Sequence, residues 1–182
     1  MEGWSGRYLA ARTPDAPTFE TVMQWLHDKM PPDFPRPGVI HNDFKFDNVV
    51  LDPEHPLTIK GVLDWEMATI GDPLMDLGSS LGYWVQRDDP PDFQASRMLP
   101  TNLPGALTRE ELVKRYSEKA GIRMDNFDFY FCFGLFRLAV IAQQIYYRFY
   151  HGQTKDERFK SLIGAVTLLE KQASRTMERS NL

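Results

Sequence analysis

The fold of this chain is decided by one stretch, Val39-Ile40-His41-Asn42-Asp43-Phe44-Lys45-Phe46-Asp47-Asn48-Val49-Val50-Leu51. Val39 and Ile40 form a brief extended apolar pair that runs into a polar cluster. Val49-Val50-Leu51 then reads as a short strand, closed by the turn residues Asp52-Pro53-Glu54-His55-Pro56. Leu57–Leu63 reads as a second strand, so the two make a hairpin. If they pair across the turn, Asn48 and Asp64 lie together at its open end.

Helices flank this β region. Upstream, Phe19, Val22, Met23 and Leu26 recur at three- and four-residue intervals within Thr18–Met30, with Thr18 placed to cap. The connector Pro31–Gly38 follows, with prolines at 31, 32, 35 and 37, which neither a helix nor an inner strand accepts. Downstream, Asp72-Pro73 starts a helix predicted to reach about Trp84. Gln86–Leu107 is the longest predicted loop. Thr108 and Glu111 form a capping box for a helix ending before Gly121. A long apolar helix stops near Gly152, and an amphipathic helix spans roughly Asp156 to Met177. The order is one helix, a small β region, then four helices. This is an α+β chain, predominantly α, and not the strand–helix alternation of a parallel sheet. A single domain over 1–182 is expected: helix and proline connector at 1–38, the polar motifs at 39–76, and a helical subdomain at 77–182.

Composition narrows the function classes. The 182 residues are 42% hydrophobic and 25% charged with a net charge of −4, an ordinary globular balance. Phosphate-backbone binding needs a surplus of Lys and Arg, so no nucleic-acid partner is expected. The single cysteine, Cys132, excludes an internal disulfide and fits a cytoplasmic setting. It lies in the aromatic run Phe129–Phe133 and reads as a small buried hydrophobe. Met1–Arg12 has no cationic-then-apolar pattern of a secretory signal. Phe129–Tyr150 is interrupted by Arg137, Gln143, Gln144 and Arg148, so it reads as a buried helix with a polar stripe, and no membrane role is expected.

The polar residues around the hairpin are the parts of a phosphoryl-transfer site. Asn48 and Asp64 offer an amide and a carboxylate oxygen, which with water and phosphate oxygens suit Mg²⁺. Asp43, five residues before Asn48, can sit near that ion and still accept a proton. Lys45 can place positive charge on a moving phosphoryl group. Taken singly, these residues read more readily as solvated turn residues. Asp47 and Glu66 read as exposed acids, and His27, His55 and His151 lack metal-ligand spacing. Arg137, Gln143, Gln144 and Arg148 either face a cleft or form a stripe on a packed helix. The aromatic run Phe127–Phe136 reads as core.

The string His41-x-Asp43-x-x-x-x-Asn48, followed by Leu63-Asp64-Trp65-Glu66 and by Gly71-Asp72-Pro73-x-x-Asp76-Leu77, resembles the aminoglycoside phosphotransferase family, whose fold is protein-kinase-like. Within that family the chain is most similar to phosphotransferase domains found alone in bacteria or fused to acyl-CoA dehydrogenases. The resemblance implies that Asp43 is the catalytic carboxylate and that Asn48 and Asp64 hold Mg²⁺. It implies that Lys45 faces phosphate, that His41 shapes the loop, and that Asp76 braces the loop through its amides. Asn42 stands where the family usually has Gly. No glycine-rich loop, strand Lys or paired helix Glu is legible before Asp43. The resemblance is therefore to the C-terminal, large lobe, with the N-terminal nucleotide lobe absent from this stretch. It implies ATP-dependent transfer of a γ-phosphoryl group to a small-molecule hydroxyl. The alternatives are a non-catalytic lobe kept for binding or assembly, and a metal-dependent phosphoester hydrolase. A bare face beside the site makes a homodimer a further expectation.

Overall fold

A computed structural model of the chain describes residues 1–124 and 127–182. Two helices come first, α1 (Glu2–Ala11) and α2 (Glu20–Asp28), where apolar spacing predicts only the second. Gly3 and Gly6 hide α1, since glycine weakens intrinsic helix propensity. Tertiary packing supplies the difference. Tyr8 is fully buried against Phe19 and Phe136, and its hydroxyl donates to the Pro17 carbonyl at 2.6 Å. Helix α2 starts later than predicted. Phe19, with a left-handed φ of 56°, is its N-cap, and Thr18 receives only a 3.5 Å bond from the Glu20 amide.

Four short strands follow: β1 (Gly38–Ile40), β2 (Val49–Leu51), β3 (Ile59–Val62) and β4 (Thr69–Gly71). The predicted hairpin forms as β2 and β3, antiparallel, with Val49 opposite Val62 and a bulge between Val50 and Leu51. The Asp52 carboxylate closes its turn by accepting from the amides of Glu54 and His55 at 2.8 and 3.1 Å. The extended pair Val39-Ile40 finds a partner that spacing does not reveal. It lies antiparallel to β4, with Gly38 opposite Gly71 and Ile40 opposite Thr69.

Helices complete the chain: α3 (Pro73–Leu81), α4 (Pro91–Ala95), α5 (Arg109–Ala120), α6 (Asp128–Tyr150) and α7 (Leu162–Arg179). Their start signals act as the sequence suggests. Asp72 caps α3 by accepting from the Leu74 amide at 2.8 Å, and Thr108 with Glu111 closes a capping box on α5. Gly121 ends α5 with φ of 63°. The stretch Gln86–Leu107 is more ordered than a plain loop. It contains α4, and the buried Asp89 pairs with Arg109 through two bonds of 2.8 and 2.5 Å. The last helix begins after a 3₁₀ turn at Glu157–Ser161.

Helix α6 is the axis of the core. Its buried residues include Phe133, Leu135, Phe136, Ala139 and Val140, and α1, α3 and α7 pack around it. It is long and apolar enough to cross a membrane by length and composition, but most of its apolar surface is covered by the rest of the molecule. Cys132 is fully buried, and burial pushes its thiol up to about 12, which leaves it inert. Gln143, in the predicted polar stripe, is also buried and ties the end of α1 to α6, donating to the Ala11 carbonyl at 2.9 Å and to Thr13 at 3.1 Å.

Candidate active site

The two small sheets carry the sequence motifs to one place. The Leu63 amide donates to the Asn48 carbonyl at 2.8 Å, one step beyond the Val49–Val62 pair. Asn48 and Asp64 therefore leave the hairpin at the same open end. From the other sheet, β1 delivers His41, Asn42 and Asp43. The Asp76 carboxylate on α3 fixes that delivery, accepting from the His41 amide at 2.8 Å and the Asn42 amide at 2.7 Å.

His41 joins the two segments. It is buried, its Nε2 lies 2.7 Å from the Leu63 carbonyl, and its Nδ1 lies 3.2 Å from the Asp43 amide. A carbonyl can only accept and an amide N–H can only donate. Nε2 therefore carries the proton and Nδ1 accepts. One ring thus sets both Asp43 and the residue before Asp64.

Asp43 sits among three donors. Lys45 Nζ reaches its Oδ2 at 2.7 Å, Asn48 Nδ2 reaches the same oxygen at 3.3 Å, and the Tyr83 hydroxyl donates to Oδ1 at 3.1 Å. Burial pushes the Asp43 carboxyl up. The Lys45 hydrogen bond and charge, with the bonds from Tyr83 and Asn48, outweigh it and hold the group below the ordinary carboxylate range. Burial raises the Tyr83 phenol, and the neighbouring Asp43 charge raises it further, so Tyr83 remains a proton donor. Lys45 also lies 5.1 Å from the Tyr83 ring centroid, a cation over an aromatic face.

Two residues here take left-handed backbone. Asn42 has φ of 65° and Asp64 φ of 66°. Asn and Asp enter this region more readily than other residues with a Cβ, which explains how Asn42 fills a position where the resembling family uses Gly. Asn42 gains a contact glycine could not make, since its Nδ2 donates to the Met67 carbonyl at 3.0 Å beyond Asp64.

The donor set suits a hard divalent ion. Asn48 is buried, and its Nδ2 is committed to the Asp43 carbonyl at 2.7 Å as well as to the Asp43 carboxylate. Its amide oxygen is thereby left as the free end. Asp64 is exposed and makes no capping hydrogen bond with its side chain. An amide oxygen and an unengaged carboxylate, to be completed by water and phosphate oxygens, match Mg²⁺. Among the described residues no group of three or more His, Cys, Asp or Glu side chains is placed to hold a metal ion. Asp47 and Glu66 are exposed, as are His27, His55 and His151.

Two apolar cavities flank Lys45. One, of about 260 Å³, includes Val39, Phe44, Phe46, Leu77, Trp84 and Tyr116 in its wall. The other, of about 250 Å³, includes Tyr83, Phe93, Met98, Ile141 and Leu168. The one carboxylate in either wall is Asp76, whose two oxygens already serve backbone amides.

Sequence spacing thus brings Asp43, Lys45 and Asn48 into direct contact and places Asp64 beside Asn48 by strand pairing. His41 and Asp76 act as supports. Tyr83 was not legible as a site residue. It lies in the turn after α3, and nothing local marks its hydroxyl as a partner of Asp43.

The model of the phosphotransferase enzyme family matches residues 1–106, more than half of the chain. The chain belongs to this family. Among curated proteins, this family member is 36% identical over 155 residues to acyl-CoA dehydrogenase family member 10 of Mus musculus, covering 84% of the chain and 14% of that protein. It is 35% identical over 157 residues to acyl-CoA dehydrogenase family member 11 of Homo sapiens, covering 85% of the chain and 20% of that protein. The chain therefore spans only about a seventh to a fifth of the length of these relatives. A solved structure from Ralstonia eutropha JMP134, proposed by its name to be an aminoglycoside phosphotransferase, superposes with a TM-score of 0.83 at 24% identity, covering 100% of the chain and 55% of that protein. The phosphotransferase fold is common to both, with predominantly helical structure and small antiparallel sheets in this chain.

Proposed function

We propose that this chain is the catalytic, C-terminal lobe of a kinase-like phosphotransferase that moves the γ-phosphoryl group of ATP to the hydroxyl of a small molecule. The contact set of Asp43 carries this reading. An ionised carboxylate held by Lys45, Asn48 and Tyr83 stands beside a hairpin end that offers two oxygen ligands. Asp43 would accept a hydrogen bond from the acceptor hydroxyl and take its proton as the new O–P bond forms and the bond to the β-phosphate oxygen breaks. A carboxylate of lowered basicity serves first to orient that hydroxyl, because it takes the proton readily only when P–O bonding is advanced. Lys45 would share its charge between Asp43 and the transferring group. Asn48 and Asp64 would hold Mg²⁺, which when bound neutralises phosphate charge and fixes the phosphate orientation.

The cavities narrow the acceptor. Both spaces beside Lys45 are walled by aliphatic and aromatic side chains, and neither has a free carboxylate. A polycation would find no partner there, whereas an uncharged alcohol with an apolar body would be covered. Phosphate transfer from ATP to a panel of medium-chain alcohols and diols, with an aminoglycoside for comparison, tests this in the natural gene product carrying the chain. A phosphorylated apolar alcohol is expected, with a loss of roughly 10²–10⁴-fold in Asp43→Asn. Full turnover in that variant, or transfer to the aminoglycoside alone, contradicts the reading.

A further inference from the structure

One face of α6 is apolar yet incompletely buried. Leu138, Ile141 and Ile145 recur there at three- and four-residue spacing, and Leu162, Ala165 and Leu168 recur along α7. All six are half-buried, whereas Phe136, Ala139 and Val140 on the same α6 are sealed in the core. Together they line the cavity of about 250 Å³ that also has Tyr83 and Lys45 in its wall. Lys45 is the one charged residue of that wall, and the Ser96 hydroxyl is already committed to the Phe93 carbonyl at 2.7 Å. The place of Tyr83 along α6 is fixed by the residue before it. A Cβ added at Gly82 would lie 3.0 Å from the Gly134 carbonyl oxygen, so the end of α3 rests on α6 one turn before Leu138. From Leu138 the aliphatic face runs on to Ile145, roughly 10 Å along the helix. The cavity is therefore polar where α3 ends and aliphatic beyond. The other cavity beside Lys45 lacks Tyr83, and its wall includes the exposed β-region residues Val39 and Phe46.

We propose that the cavity between α6 and α7 is the tail site of the acceptor: it takes the aliphatic body of an alcohol, keeps the hydroxyl end at Tyr83 and Lys45, and sets the chain length at Ile145. This rests on the phosphoryl transfer proposed above, and it assigns the acceptor to one of the two cavities beside Lys45. Tyr83 and Lys45 bond the two oxygens of Asp43 at 3.1 and 2.7 Å, so a hydroxyl brought between them arrives at the carboxylate. A charged body would lose its water along α6 and find no partner there. An aliphatic one gains roughly fourfold in affinity for each methylene that the wall covers.

Isothermal titration calorimetry of the natural gene product carrying the chain, with primary alcohols from butanol to dodecanol and no ATP, reads the tail site apart from the reaction. Affinity is expected to rise roughly fourfold per methylene and to level off once the tail reaches Ile145. Ile145→Ala is expected to move that plateau outward by about two carbons, the depth of side chain removed. Ala165→Phe, which fills the middle of the cavity, is expected to weaken the longer alcohols at least about tenfold. Val39→Phe, in the wall of the other cavity, should leave the series unchanged. Affinity independent of chain length overturns the inference, and so does a loss in Val39→Phe with none in Ala165→Phe. Should Ala165→Phe not fold, Ile145→Ala decides, and an unmoved plateau overturns the inference. The two readings fail separately. Binding in the expected pattern with no phosphate transfer once ATP is added contradicts the proposed function and supports the tail site. Transfer to the longer alcohols undiminished in Ala165→Phe overturns the tail site and supports the function.

Discussion

At the scale of single residues, the candidate site is held by a few polar side chains that each satisfy more than one partner. Asp76 satisfies two backbone amides that no strand partner reaches. Asp76→Ala would leave both without an acceptor, and a loss of roughly 3–5 kcal/mol in urea unfolding is expected. His41→Ala breaks the link between Asp43 and Leu63, and about 1–3 kcal/mol is expected from the lost bonds alone. The pH dependence of Asp43 has a definite sign. Its folded pKa is below its unfolded value, so its contacts add stability that is complete above the ordinary carboxylate range near pH 4. That contribution drains away as the pH falls through the lower folded value. The stability gap between the parent and Asp43→Asn should therefore shrink when measured at about pH 3 instead of about pH 6. Asp43, Lys45 and Asn48 were legible because one loop carries all three and their spacing alone nearly fixes their meeting. Tyr83 was not, because it reaches the loop from the end of α3, and helical spacing encodes burial without naming the polar partner.

At the scale of elements, the crossing of α3 and α6 sets where Asp76 stands. A Cβ added at Gly78 would lie 2.2 Å from the Tyr130 carbonyl oxygen, and one at Gly134 would lie 2.0 Å from that of Gly78. Backbone meets backbone there, so neither neighbour can give way by changing rotamer. Gly78→Ala and Gly134→Ala are each expected to cost about 3 kcal/mol or more in urea unfolding, beyond the helix-propensity gain of alanine. Exposed Gly164, whose added Cβ meets nothing, is the control, and its alanine variant should be neutral or slightly stabilising. Legibility differed by element for similar reasons. The β2–β3 hairpin, α3 and α5 announce themselves through local turn and cap chemistry. The β1–β4 pair does not, because each strand is three residues long and its register depends on contacts distant in sequence. Helix α1 depends on Trp4 and Tyr8 packing against the core, which outweighs its two internal glycines.

At the scale of the whole molecule, a buried helical core supports a β region many of whose apolar residues remain open. Val39, Phe46, Leu57, Ile59, Trp65 and Ile70 are all at least half exposed, and all belong to the segment that carries the site motifs. The helical part carries Asp76 and Tyr83, and the β region carries Asn48 and Asp64. In the proposed function Asn48 and Asp64 together hold one divalent ion beside Asp43. Electron paramagnetic resonance of Mn²⁺ bound to the chain, displaced by Mg²⁺ and repeated with ATP present, measures it without needing the acceptor. One Mn²⁺ site is expected, weakened at least about tenfold by Asp64→Ala and by Asn48→Ala, and largely kept in Asp43→Asn. Mn²⁺ binding that ignores both Asp64→Ala and Asn48→Ala would contradict the account at its centre.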